Sequence, residues 1–174
     1  SDIGRVRIFE YSGSGTTWSQ FGNTIYGMES GDTLAESCDF SKDGSIVALG
    51  TKSSGYVEVY QYNNTSNTWN QIGSRITDGA AHFGQGVRLS NDGTILLISD
   101  FEENSSAGSV SVYKYINNDW VQQGSTQYGI HSNAYLGHQF NGSVAISGDG
   151  SKIVAGGYGA DLNGTNSGYV QAWQ

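Results

Sequence analysis

Proline is absent from this sequence, cysteine and methionine occur once each, and cations are scarce: 8 Lys plus Arg stand against 16 Asp plus Glu. A single Cys38 excludes an intrachain disulfide. The formal net charge of −8 repels phosphate backbones and anionic membrane surfaces, which argues against nucleic-acid binding. No apolar run approaches the roughly 18 residues that a membrane-spanning helix needs. No leader is visible at Ser1, so a secreted protein would be seen here in mature or excised form. What the chain does have is glycine (26 residues) and tyrosine (11), with few charges, and this predicts an all-β fold.

The sequence repeats. "GRVRIFEY" (4–11), "GYVEVYQY" (55–62), "GSVSVYKY" (108–115) and "GYVQAWQ" (168–174) recur, and Trp18, Trp69 and Trp120 open "WSQFG", "WNQIG" and "WVQQG" at spacings of about 50 residues. Between these blocks lie "FSKDGSIVALG", "LSNDGTILLIS" and "ISGDGSKIVAG". Each unit reads as four strands, a to d. Strand a is "LAESCDFS", "FGQGVRLS" or "FNGSVAIS", with Cys38 and Phe40, Val87 and Leu89, or Val144 and Ile146 facing the core. Strand b is apolar on both faces, as expected of a strand covered on both sides. Strand c is valine-rich, and strand d carries Trp-x-Gln.

A period near 50 with only β signals predicts a β-propeller of four-stranded antiparallel blades, about three blades plus an extra strand. The expected division is a half-blade over 4–27, repeats over 28–79 and 80–129, and a last repeat over 130–174 ending in its third strand. Three blades are too few to close a ring, so other copies or neighbouring blades of a longer chain are the expected partners.

At "FGQGVRLSNDGTILLIS…GSVSVYKY" the chain resembles the FG-GAP repeats of integrin α head propellers and of microbial and algal surface proteins. Phe83-Gly84 carries the pair in full, with Leu34-Ala35 and Phe140-Asn141 as its counterparts. The resemblance implies an extracellular or cell-surface location and a role in adhesion. The integrin repeats bind calcium on several carboxylates of one short loop, whereas each loop here offers one. Asp43-Gly44, Asp92-Gly93 and Asp149-Gly150 are therefore expected to be blade turns, two-residue hairpins of type I′.

Candidate site residues lie in the loops between strands b and c. Asp100, Glu102, Glu103 and Tyr158 are the expected ligand rim, and Asp161, Asn163 and Asn166 are the side chains a calcium ion would use. Tyr128, Tyr135 and Tyr158 offer faces for sugar rings. Asn63, Asn64, Asn104, Asn141 and Asn163 head glycosylation sequons. His82, His131 and His138 show no ligand spacing, and no catalytic motif stands out; no catalytic residue and no cofactor is assigned. The expectation is a non-enzymatic extracellular structural or adhesion module, assembled into a surface fibre, coat or adhesin. The alternative is a lectin-like propeller that binds glycans with the help of calcium.

Overall fold

The computed structural model describes residues 3–13, 15–51, 54–138 and 143–174. The fold is of the β-propeller type, small antiparallel sheets stacked face to face. An opening half-blade consists of β1 (Arg5–Val6), β2 (Phe9–Tyr11), β3 (Trp18–Gln20) and β4 (Ile25–Tyr26), with β1 paired to β4 and β2 to β3. The first full blade runs β5 (Ser37–Phe40), β6 (Ile46–Gly50), β7 (Val57–Asn63) and β8 (Thr68–Gln71), in that spatial order. The second repeats it with β9 (Gly86–Leu89), β10 (Ile95–Asp100), the left-handed turn α1 (Glu103–Ser106), β11 (Ser109–Ile116) and β12 (Asp119–Gln122). Its β13 (Gln127–Tyr128) folds back onto the start of β11. The last sheet contains β14 (Val144–Ile146), β15 (Ile153–Gly157) and β16 (Tyr169–Trp173).

The core lies between the sheets. Strand b is apolar on both faces because each face fills a different interface: Val47 and Leu49 point towards the half-blade, while Ile46 and Ala48 point towards the second blade. Leu97 and Val110 meet Val144, Ile153 and Ala155 at the third interface. Burial of this kind is the main stabilising term in a sheet stack.

Position in the stack decides what strand a buries. Val87 and Leu89 of β9 are packed against the first blade. Cys38 and Phe40 of β5, expected in the core, are exposed instead, Phe40 at 43%. Their face looks towards the half-blade, whose β1 to β4 occupy only the strand c and strand d positions of the repeat and leave that position uncovered. At the other end Val154 and Val170 occupy the places of the buried Leu97 and Val110, yet Val170 is 71% exposed.

The Asp-Gly turns are built differently from the expected type I′ hairpin. Four residues separate Ser41 from Ile46, and only the glycines, Gly44, Gly93 and Gly150, take positive φ (72, 71 and 73°). Asp43 Oδ1 accepts from Ser41 Oγ, Ser45 N and Ser45 Oγ, while Ser41 Oγ accepts from Ile46 N. Ser90–Asp92–Thr94 and Ser147–Asp149–Ser151 repeat this geometry. Those donors hold the carboxyls of Asp43, Asp92 and Asp149 below the usual range. The turns also join the blades: Lys42 N donates to Asn91 O (2.9 Å) and Asn91 N to Gly148 O (2.8 Å).

A second joint lies on strand d. Trp69 Nε1 donates to Phe21 O and Trp120 Nε1 to Ile72 O, both at 3.0 Å. Each indole lies on the glycine that follows its acceptor residue: a Cβ on Gly22 or Gly73 would come within 2.6 Å of the Trp Cδ1 atom. The "W-x-Q-x-G" spacing is thus a tryptophan and the seat for the next one.

The Phe140-Asn141 counterpart of Phe83-Gly84 lies outside the described residues. Leu136-Gly137 takes the structural place of that pair: Gly84 N donates to Ser99 O, and Gly137 N to Gly156 O, the matching residue of the last blade.

Candidate functional site at the loop-bearing face

Antiparallel order places the b-to-c and d-to-a connections at one end of every sheet, and the Asp-Gly and c-to-d turns at the other. The variable loops therefore share one face, the usual location of binding residues on a rigid scaffold.

Between the second and last blades this face gathers His82, Phe101, Glu102, Tyr135, His138 and Tyr158. Phe101 follows β10 directly. Its ring centroid lies 4.1 Å from that of His138, 6.5 Å from that of His82 and 6.3 Å from that of Tyr135. Tyr135 and Tyr158 stack at 5.3 Å and 13°, and His138 meets Tyr158 edge-on at 5.4 Å. Two backbone bonds tie the loops together: Asn133 N donates to Ser105 O and Tyr135 N to Ser106 O.

His82 is held at both nitrogens. Gln85 Nε2 lies 3.0 Å from Nδ1, and Nε2 lies 3.0 Å from Glu102 Oε2. With the Gln85 amide donating to Nδ1, the ring carries its proton on Nε2 and donates it to the carboxylate. Burial lowers the His138 pKa, against the opposing pull of Glu102, so the ring is neutral near pH 7 and able to accept a proton.

The rim candidates separate on this geometry. Glu102 and Tyr158 belong to the cluster. Asp100 is buried, not part of an open rim, and its Oδ1 accepts from Glu102 N and Glu103 N. Burial pushes its carboxyl above the usual range despite those donors. Glu103 opens the short turn α1. The Asp161 carboxylate closes its own loop by accepting from Asn166 N (2.5 Å), and Asn163 N donates to Ser167 Oγ. Among the described residues no three or more His, Cys, Asp or Glu side chains group to hold a metal ion. Asn63, Asn64, Asn104 and Asn163 are exposed, and Asn141 lies outside the described residues.

His82 and His138 were not legible as a pair. They stand 56 positions apart, and at different offsets from strand a of their blades, so the repeat does not align them.

The loop face of the first blade carries an ionic network instead. Glu58 is 1% exposed; its Oε1 accepts from Arg75 Nε (3.1 Å) and an Arg75 terminal nitrogen (2.9 Å), and its Oε2 from Tyr60 Oη (2.8 Å). The guanidinium lies 3.7 Å over the Tyr56 ring, and Tyr56 Oη donates to Asp32 Oδ2 (2.8 Å). Burial pushes the Asp32 carboxyl up, but Ser54, Tyr56 and two backbone N–H donors outweigh it and hold the pKa below the usual value. All its strong groups are engaged with one another, so this network reads as structure.

No protein-family model matches the chain, and no curated protein matches it. Solved structures do. A protein of Bacteroides uniformis provisionally assigned as a 6-phosphogluconolactonase superposes with a TM-score of 0.61 at 19% identity, over 88% of this chain and 41% of its own. A second protein with that provisional assignment, from Bacteroides fragilis, gives 0.54 at 18%, over 81% and 36%. A functionally unknown protein of Desulfotomaculum acetoxidans gives 0.62 at 13%, over 99% and 44%. The chain thus spans less than half the length of these structures, and the likeness is one of fold. It corrects the expectation of a non-enzymatic extracellular adhesion module and its lectin-like alternative. A repeat of this kind marks the fold alone, and proteins of the same fold carry provisional enzyme assignments.

Proposed function

We propose that the loop-bearing face binds and hydrolyses a small uncharged cyclic ester, a lactone of a sugar acid. The observation that supports this reading is the meeting of a neutral His138 and the His82–Glu102 pair around Phe101, beside the Tyr135–Tyr158 stack. In this reading His138 takes a proton from the water that attacks the ester carbonyl. The ring C–O bond breaks, and the proton passes to the departing alkoxide, giving the open hydroxy acid. The Tyr158 face receives the sugar ring. The provisional assignments of the two Bacteroides proteins name a phosphorylated lactone. Here Glu102 belongs to the cluster, and its carboxylate would repel a phosphate. The remaining blades come from other copies or from further repeats of a longer chain, and the FG-GAP-like reading of the repeat belongs to this proposal.

The test is proton release from δ-gluconolactone and from its 6-phosphate, after subtraction of the spontaneous rate. The wild-type chain is expected to accelerate the uncharged lactone preferentially, with a rate that rises as pH climbs through the lowered His138 pKa and is flat by neutrality. His138→Gln is expected to cost about a hundredfold, the usual contribution of a general base. Equal rates for the two proteins would reject the reading.

A further inference from the structure

Glu102 is fixed at both ends. Its backbone N–H, with that of Glu103, donates to Oδ1 of the buried Asp100 (2.9 and 3.1 Å), and its carboxylate accepts from His82 Nε2 at 3.0 Å. His82 is held in turn by Gln85, which lies just ahead of β9 and is fully buried. A chain of three side chains thus runs from the interior to one carboxylate on the loop-bearing face. Stability gives little reason for it. The His82 and Glu102 side chains are 35% and 43% exposed, and a pair so open to solvent contributes little to folding.

The same loop seats His138. Phe101, the residue before Glu102, packs on the His138 ring with centroids 4.1 Å apart. The elements around that ring bring Asp100, Glu102 and Glu103 after β10, His82 before β9, Tyr135 on its own loop and Tyr158 after β15. Asp100 is turned onto backbone N–H groups, and the charge of Glu103 falls on Asp100. Tyr135 and Tyr158 meet His138 edge-on with their rings. Burial disfavours the imidazolium form of His138, and the Glu102 carboxylate favours it. In its Nε2–H tautomer, His82 holds that carboxylate without cancelling its charge.

We propose that Glu102 is a positioning residue for His138: its carboxylate, fixed by the Gln85–His82 chain, stabilises the imidazolium that forms when His138 takes a proton. A charge set in place beforehand lowers the energy of that state without rearrangement. Glu102 takes no proton itself; the proton gained by His138 leaves on the departing alkoxide. The role in a reaction rests on the hydrolytic reading, whereas the coupling between Glu102 and His138 does not.

The test follows the imidazole C–H resonances of His138 by NMR as pH is varied, in the wild-type chain, Glu102→Gln and Glu102→Asp, with His138→Gln for assignment. Glutamine keeps the length of the side chain and an acceptor for His82 Nε2, so Glu102→Gln is expected to keep its melting temperature. Its His138 is expected to titrate at lower pH than in the wild type. Glu102→Asp retains the charge and is expected to restore most of that shift. In lactone hydrolysis the rising limb of the Glu102→Gln pH profile is expected to move to lower pH. Its plateau is expected to fall about tenfold, less than loss of the base itself costs. A His138 titration that does not move to lower pH in a normally melting Glu102→Gln would overturn the proposal. So would an equal shift in Glu102→Asp, which would trace the effect to lost fit and not to charge. A chain that shows the shift but hydrolyses no lactone would reject the hydrolytic reading and leave the coupling standing.

Discussion

Trp120→Ala is expected to lower the unfolding free energy by about 3–5 kcal/mol, whereas Trp18→Ala changes it by less than about 1 kcal/mol. The two residues hold the same place in the repeat and differ in what covers them. Trp120 is 8% exposed, rests on Gly73, packs into the cluster between the first two blades and gives its N–H to Ile72 O. Its loss empties a seat that no neighbour is shaped to fill, and strands the Ile72 carbonyl under the cavity. Trp18 is 64% exposed and touches Tyr11 at 5.5 Å, and among the described residues no blade lies beneath it. Urea denaturation of both variants decides the matter. Equal losses would mean that the tryptophans stabilise their own hairpins rather than the joint between blades.

The second large effect is expected at Arg75. Arg75→Ala leaves Glu58 buried with one remaining partner, Tyr60, and costs about 3–5 kcal/mol. Most of that is the cost of an uncompensated buried carboxylate, not the strength of the ion pair. A double variant makes the distinction. Glu58→Ser with Arg75→Thr copies the Ser111–Thr126 pair of the next blade, which does the same work without charge. It is expected to recover more than half of the loss. A double variant as unstable as Arg75→Ala would show that the guanidinium matters for its stacking on Tyr56 and not for neutralising Glu58.

Strand positions and the stacking of blades were readable because they follow from periodicity. "SIVALG" and "TILLIS" are apolar on both faces, and only a strand with sheets on either side needs that. The recurrence of Trp69 and Trp120 likewise announced a packing role, although the seat beneath them appears only when Gly22 and Gly73 are placed in space. Cys38 and Phe40 carry the same alternation as Val87 and Leu89, so pattern alone put them inside. Their exposure depends on which strands the preceding blade contributes. Leu136-Gly137 is hidden from pattern because extra residues separate it from β14, and "FNG" is the more obvious match to "FGQ" in the sequence. The His82–Glu102 pair and the neighbouring His138 are least legible of all. Loops converge through the antiparallel order of whole sheets, and no local spacing records which loops will meet.

The chain's architecture rests on one physical condition: a blade is firmly held only where both of its faces are covered. Amide hydrogen exchange, followed by mass spectrometry on the intact chain, tests this directly. The slowest exchange is expected in β6, β7, β10 and β11, whose side chains fill interfaces on both sides, and much faster exchange in β2, β3 and β16 at the open ends. Protection in β2, β3 and β16 equal to that in β10 would contradict the account.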